Sequence, residues 1–418
     1  MGVKEASAAY RVTLEPASAE AAVPPGYKQT EVGVIPEDWG VTALGNLCEV
    51  TSSKRVFQSD WRAEGVPFYR ARELAVLGET GSVDNELFIT KEMYERFKRA
   101  FGVPAAGDML VTGVGTLGKT YVVKGDHDFY FKDGNIIWFK VGHHASSDFL
   151  NQLYLTPVVT KQINDNSAGT TVGTYTISGA KKTVVPLPPT KAEQEAIAKA
   201  LSDTEALIES LQQLVAKRRQ IKQGAMQSLL TGQQRLPGFG GEWEATMFAA
   251  MLRHHSGNST LIKGKLSELP LAGHFAAYSA SGQDVWHHSF EHEGDALVVS
   301  AVGSRCGRTF KAHGKWSAIA NTHVVWPNSK KVDARFLLLF LDDENFWLKS
   351  GSGQPFVLFK QSFARQCMLP SLEEQAAIAA VLSDMDAEII ALEARLAKTR
   401  ELKQGMMQAL LTGRIRLV

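Results

Sequence analysis

The sequence predicts an α+β protein: two α+β domains separated by two long α-helices that form an antiparallel coiled coil, with an internal pseudo-two-fold repeat. Three observations carry this prediction. The last fifty or so residues repeat a stretch near the middle without a gap, Pro189 falling on Pro370, Gln194 on Gln375 and Leu236 on Leu417. About half the aligned positions are identical, far beyond chance for a repeat of this length. Within each copy, apolar residues recur in steps of four and three, and a block of short strand-like runs precedes each copy.

In chain order, residues 1–25 are rich in Ala and Glu and are expected to form a disordered N-terminal extension. Residues 26–188 make the first domain, 189–235 the central helix, 236–369 the second domain and 370–418 the C-terminal helix. The two domains look like distant copies. Both open near a tryptophan, Trp39 and Trp243. Each then carries Gly-Asp and an apolar strand, Gly107 to Val111 and Gly294 to Val298. A glycine-rich turn with a basic residue follows: Gly115, Gly118 and Lys119 in one, Gly303, Gly307 and Arg308 in the other. Further strand-like runs, Asn135 to Phe139 and Thr322 to Trp326, precede helix-like segments at Phe149–Leu155 and Phe336–Leu341. Many short strands with a few helices define each block as α+β. Trp39, Trp138, Trp243 and Trp326 recur at matched places and are expected in the core.

Each helix has a start and a stop. Thr190 with Glu193, and Ser371 with Glu374, give the Thr/Ser-x-x-Glu capping-box pattern, which satisfies free N–H groups of the first turn. Pro189 and Pro370 stand just before, where a missing N–H costs nothing. Gly232 and Gly413 suit left-handed caps at the other end. About forty residues lie between, enough for a helix of roughly 60 Å. The seam is Ile197, Leu201, Ile208, Leu211 and Val215 in the first copy, with Ile378, Leu382, Met385, Ile389, Leu392 and Leu396 in the second. Two helices of one chain, each with one apolar stripe and a domain between them to return the chain, most simply pair antiparallel. Gly224 and Gly405 sit inside the helices at matching positions, and their repetition favours a close backbone approach or a kink over a tolerated glycine.

Composition excludes more than it selects. A chain of 418 residues with 44% hydrophobic and 21% charged residues describes an ordinary globular protein of two or three domains. No apolar run is long enough to span a membrane and no signal-peptide pattern is present, so a cytoplasmic location is expected. Cys48, Cys306 and Cys367 are widely spaced, lack metal-ligand spacing and suit a reducing compartment. A net charge of +1 gives no global argument for nucleic acid, so any such argument rests on local patches.

From Gly26 onward the chain resembles the specificity (S) subunit of type I restriction–modification systems. The resemblance rests on the opening Gly33-Val34-Ile35-Pro36-Glu37-Asp38-Trp39, the Pro-x-x-x-Glu-Gln start of both helices and their Leu-Leu-Thr-Gly-x-x-Arg-Leu close. The order of variable block, repeated helix, variable block, repeated helix is more specific than any of these strings. The resemblance implies two target recognition domains, each reading one half of a bipartite asymmetric DNA site. It implies a helix pair that sets the gap and docks two modification subunits, the seam residues above serving both roles. S-adenosylmethionine is then expected in the modification subunits, ATP and Mg in restriction subunits that complete the complex, and no cofactor, catalytic residue or metal in this chain. Double-stranded DNA is the expected ligand, and a rigid spacer suits half-sites that demand matched domain separation.

DNA contacts are expected from basic clusters, since Lys and Arg neutralise phosphates and Arg also discriminates bases. In the first domain these are Lys54 and Arg55, Tyr69, Arg70 and Arg72, Lys119, and Lys181 with Lys182. In the second they are Arg253, Arg305 with Arg308, and Lys360 with Arg365. For any one basic residue a solvated surface charge is the competing reading.

Other chemistries are weaker. Gly113 to Thr120 matches the phosphate-loop string G-x-x-x-x-G-K-T, but that mechanism needs a helix after the turn, and Tyr121-Val122-Val123 reads as a strand. A glycine-rich hairpin turn, able to lie against a DNA phosphate, fits better. His288 and His292 have H-x-x-x-H spacing beside Glu291 and Glu293, which could hold a metal on a helix; a surface cluster is the commoner outcome. No Ser/His/Asp arrangement is supported, and the Asn/Asp-Pro-Pro-aromatic string of amino-methyltransferases is absent. Two other classes stay open: a protein-binding scaffold without DNA function, and an NTP-binding enzyme acting through Gly113–Thr120.

Overall fold

The computed structural model describes residues 23–167, 173–328, 330–351 and 353–417. Most of the N-terminal extension, residues 1–22, lies outside the described residues. The chain divides into two compact units, residues 1–209 with 397–418 and residues 210–396. Each unit therefore owns one domain and part of each long helix.

The first unit is organised on an antiparallel four-stranded sheet of β1 (Cys48–Thr51), β2 (Met109–Thr112), β3 (Thr120–Val122) and β4 (Ile136–Val141), in the order β1-β4-β2-β3. The second unit has β5 (Leu252–Ser256), β6 (Ala296–Ser300), β7 (Thr309–Ala312) and β8 (Thr322–Pro327), in the order β5-β8-β6-β7. The connectivity is the same. The matched strand runs of the sequence are matched strands of one topology, as the α+β prediction requires.

Both sheets are covered on two faces, which explains why their central strands read as unbroken apolar runs rather than alternating ones. In β4, Ile137 and Phe139 enter one core while Ile136 and Trp138 enter another on the opposite face. In β6, Leu297 and Val299 face one core and Ala296 and Val298 the other. The frames agree but the outer layers differ. The first unit adds a three-stranded sheet around Val66–Tyr69 and two helices, Ala71–Thr80 and Lys91–Phe101. The second adds a four-stranded sheet around Phe275–Ser279.

The long helices are α1 (Lys191–Leu230) and α2 (Leu372–Leu410). In the first unit, Ile197 and Leu201 of α1 and Leu410 of α2 join Trp39, Phe139 and Phe149 in the domain core. In the second, Ile378 and Leu382 of α2 and Leu229 of α1 join Phe248, Val325 and Phe336. Burial of such side chains stabilises each by about 1.5–3 kcal/mol. The seam residues Ile208, Leu211, Val215 and Ile389 are also buried, with Met385, Leu392 and Leu396 half-buried.

The helices pair antiparallel. In the second unit Arg219 meets Glu393 at 2.6 Å and Lys222 meets Asp386 at 2.5 Å, so advancing along α1 means retreating along α2. In the first unit Lys403 pairs with Glu205, and Thr204 Oγ1 lies 3.6 Å from Met406 Sδ. Where the apolar stripe lapses, the register of 3–4 residues continues through Arg218 and Lys222 on α1 and through buried Thr399 and half-buried Lys403 on α2. Burial pulls the Lys403 ammonium below its ordinary range.

Both helices run unbroken through Gly224 and Gly405, and a Cβ built at either meets nothing within 4 Å. The expected close approach is therefore corrected to a tolerated glycine. Gly232 and Gly413 take φ of 72° and 70°, the left-handed caps that end the helices.

Candidate nucleic-acid interface

Each domain is fastened to the helices by the same set of polar contacts. Thr190 Oγ1 accepts from the Glu193 amide at 3.2 Å and Ser371 Oγ from the Glu374 amide at 3.3 Å, so half of each capping box forms. The carboxylates go elsewhere. Glu193 accepts from Arg416, whose guanidinium also reaches Asp38 at 2.9 and 3.0 Å. Glu374 accepts from Arg235 at 2.5 and 2.6 Å. The two arginines lie over Trp39 and Trp243, 5.8 and 5.5 Å from a ring centre. Hydrogen bonding to Arg416 holds the Asp38 carboxyl below its usual range, and the two carboxylates push Arg416 upward. Gln194 accepts from the Ser146 amide and Gln375 from the Asp333 amide, both at 2.9 Å. Sequence reasoning gave Glu193 and Glu374 only a capping role and assigned no contact to Gln194, Gln375, Arg235 or Arg416, although Glu-Gln and the closing Arg recur in both copies.

The basic candidates fall into two groups. Lys54, Arg55, Arg72, Lys181 and Lys182 are exposed in the first unit, as are Arg253, Arg305, Arg308 and Lys360 in the second. Lys54 Nζ stands 5.0 Å from the Phe101 ring centre and Arg55 pairs with Asp133 at 3.0 Å, both reachable from solvent. Lys119 is half-buried and meets Glu79 at 2.5 Å. Exposed pairs of this kind bring little stability, so their cations can exchange partners cheaply.

Three candidates are tied to their own domain. Tyr69 is 4% exposed, its strand turning the ring inward, and its hydroxyl lies 3.1 Å from His127 Nε2. It presents no face to a duplex, which corrects the expectation at this residue. Arg70 makes a forked pair with Glu73 at 2.9 and 2.6 Å, at the start of Ala71–Thr80. Arg365 donates to the Phe346 carbonyl at 2.8 Å and lies over that ring. Arg70 thus anchors the Glu73 carboxylate, and Arg365 holds the backbone at Phe346.

The second domain gathers aromatic rings and imidazoles. His254 Nδ1 and His323 Nε2 are 2.8 Å apart, and His323 stacks on Phe359 at 3.8 Å. His292 packs against Trp316 and Trp326. Burial pulls the His323 imidazole down to about 3, with the charges of His254 and His255 adding to the effect. The helix needed for an H-x-x-x-H metal site is not formed. Strand Gly282–His287 ends before His288 and His292 opens another strand, so helical spacing does not apply. Among the described residues, no group of three His, Cys, Asp or Glu is placed to hold a metal ion.

Gly113–Thr120 closes a hairpin between β2 and β3, paired antiparallel from Val111 and Thr120 outward. The strand after the turn leaves no helix N-terminus to face a phosphate chain, so the phosphate-loop mechanism lacks its main component. Among the described residues no helix is long and apolar enough to cross a membrane.

Two heads of one frame, each fastened to paired long helices and bearing exposed cations, define a two-domain binding protein. The model of the type I restriction modification DNA specificity domain matches residues 36–217 and 287–404. The chain belongs to this family, that of the specificity subunits of type I restriction–modification systems. A putative type I restriction enzyme specificity subunit of Haemophilus influenzae is 27% identical over 172 residues, a match that spans 41% of each chain. The putative MjaX specificity subunit of Methanocaldococcus jannaschii is 23% identical across 94% of this chain and 97% of that one. Among solved structures, the type I system S subunit from M. genitalium superposes with a TM-score of 0.58 at 15% identity, covering 89% and 96% of the two chains. A chain from a study of assembly and conformational transition in the type I system gives 0.53 at 18%, covering 91% and 99%. These likenesses agree with the fold expected from the sequence.

Proposed function

We propose that this chain reads a bipartite, asymmetric DNA site, one half with each domain, and that α1 and α2 set the number of unread base pairs between the halves. The observation that carries this is the contrast between frame and periphery. The four-stranded sheets share one order, and the Glu–Arg locks repeat at equivalent positions. The outer layers differ in strand number and in helices. Equal frames seat equal partners, whereas unequal surfaces suit unequal sequences. Sequence is read by side chains at base edges, while phosphate contacts serve any sequence.

On this reading the pseudo-two-fold repeat lets one asymmetric chain dock two modification subunits. These supply S-adenosylmethionine and methylate adenine, and restriction subunits with ATP and Mg join through them in the cytoplasm. The chain itself performs no chemistry. Exposed Lys54, Arg55, Arg72, Lys181, Lys182, Arg253 and Lys360 supply counter-charge to phosphates.

The experiment is a genome-wide map of methylated adenines in cells that express the chain with its modification subunit, against cells without the chain. A split motif that depends on the chain supports the reading and gives both half-sites and the gap. Absence of chain-dependent methylation, with the partner folded and bound, leaves a protein scaffold in its place.

A further inference from the structure

The glycine turns between β2 and β3 and between β6 and β7 differ in length and sequence but share four backbone bonds. In the first unit the Thr112 amide donates to the Lys119 carbonyl at 2.8 Å and Gly118 donates to Thr112 at 2.9 Å. Gly113 donates to Asn135 at 2.8 Å and accepts from Tyr175 at 2.9 Å. In the second, Ser300 donates to Arg308 at 2.8 Å and Gly307 to Ser300 at 2.9 Å. Ala301 donates to Asn321 and accepts from Val357, both at 2.9 Å. Val114 then bridges to Thr174, and Val302 to Phe356. Each turn is thus gripped by the lead-in to the central strand on one side and by a returning segment on the other.

The last glycine of each turn is also matched. Gly118 and Gly307 have φ of 74° and 86°, and an added Cβ would come 2.8 Å from Ile163 Cδ1 in one case and Lys349 Cε in the other. The tips face outward: Gly115 and Thr116 are exposed, as are Ser304 and Arg305. Among the described residues, the amides of Gly115, Thr116 and Leu117, and of Ser304 and Arg305, donate to no backbone carbonyl. Cationic side chains stand close by in sequence or space, Lys119 in one domain and Arg305, Arg308 and Lys349 in the other.

A junction that keeps four backbone bonds and a bridge, while the outer layers around it diverge, serves something the two half-sites have in common. Two DNA half-sites of different sequence share only their sugar–phosphate backbone. Consecutive tip amides without a backbone carbonyl partner, beside a cation, are suited to a phosphate oxygen. We propose that each hairpin tip, Gly115–Thr116 and Ser304–Arg305, holds one DNA phosphate and so sets the domain's register without reading bases. This rests on the reading that the chain binds DNA.

The test uses the chain assembled with its modification subunits and the variants Thr116→Glu and Ser304→Glu, which place a carboxylate at an exposed tip and leave the matched bonds intact. Binding to a duplex with the split site and to an unrelated duplex is measured across a salt series. Each variant should weaken both duplexes by a similar factor, roughly tenfold. The slope of log affinity against log salt should fall by about one. Melting temperature and methylated motif should stay as in the parent. Unchanged affinity would overturn the assignment and leave the junction as scaffolding. A changed half-site motif would overturn it in favour of base reading. Binding of ATP by the parent that Lys119→Ala abolishes, with DNA affinity unaltered, would overturn it in favour of a nucleotide. A parent complex that does not bind the split site would sink the DNA reading as a whole, whereas an unaffected variant of a binding parent removes the hairpin assignment alone.

Discussion

Replacing Arg416 by leucine isolates the lock that closes the first unit. The guanidinium donates to Glu193 through Nε and Nη2 and to Asp38 through both terminal nitrogens. The Glu193 side chain is 1% exposed and that of Arg416 29%. Leucine keeps an apolar stem near Trp39 but leaves the Glu193 carboxylate shielded from water without its partner. Removing one member of a fully buried pair costs about 3–5 kcal/mol. The part exposure of Arg416 admits water, which lowers the expected cost to roughly 2–3 kcal/mol. A unit of this size loses about 2–4 °C of Tm per kcal/mol, so its transition should fall by roughly 4–12 °C. Scanning calorimetry of parent, Arg416→Leu and Arg416→Leu with Glu193→Gln checks this. The glutamine removes the stranded charge, so the double variant should regain most of the loss. The Asp38 share also has a pH signature. Its folded carboxyl is held below the ordinary value, so its contribution is present above about pH 4 and vanishes as pH falls through the lowered value. The deficit of Arg416→Leu should shrink accordingly in acid. A single variant melting within about 1 °C of the parent, or a double variant no better than the single, would refute the stranded-carboxylate argument.

The remaining predictions concern the second domain and the helices. His323, neutral when buried, has its folded value pulled down to about 3 while the unfolded imidazole titrates near 6.5, so stability should decline as pH drops below the unfolded value. The expected loss is roughly 1.4 kcal/mol by about pH 5.5, and His323→Gln should flatten that slope in a urea-denaturation series. Gly224→Ala and Gly405→Ala should each raise stability by about 0.5–1 kcal/mol, because the helix is open there. Gly413→Ala should instead lower it by about 1–3 kcal/mol, since its Cβ would sit 2.5 Å from the Pro36 ring at φ 70°. Thermal melts separate the two signs. Inserting one heptad between Leu201 and Leu214 should shift the gap in the methylated motif or abolish modification, and an unchanged motif would count against the spacer role.

The helices were legible because their signals are local. A capping Thr or Ser, an apolar step of four and three and a closing glycine all lie within one segment, and each was stated twice. The central strands were legible for the opposite reason: Ile136 to Phe139 and Leu297 to Val299 are buried on both faces and need no alternation. Long-range pairs were not legible. Glu193 reads as the acidic half of a capping box, yet its carboxylate is satisfied by an arginine 223 positions away. The seam could not be followed past Val215 or Leu396, because Arg218, Lys222, Thr399 and Lys403 hold the next places with polar side chains. Tyr69 and Arg70 looked like a surface cluster beside Arg72, but strand direction buries the first and Glu73 captures the second. The H-x-x-x-H spacing was meaningful only on a helix, and β-branched and aromatic neighbours such as Val285 and Trp286 had already made that segment a strand.

Repetition inside one chain also separates constraint from freedom without reference to any other sequence. Glu193 with Arg416 and Glu374 with Arg235 recur at matched places, as do the bonds of the two glycine hairpins. The lock has a geometric consequence. A helix that slid by one turn against its domain would move its glutamate about 5.4 Å, breaking a two-pronged pair and leaving a carboxylate without its cation. Each domain therefore holds its helices in one register, and slippage cannot absorb a change in helix length. If the chain measures a gap in DNA, the measure is set by the residues between the locks. Substitution on the exposed faces should leave the gap as it is, whereas insertion between Glu193 and Arg235, or between Glu374 and Arg416, should change it.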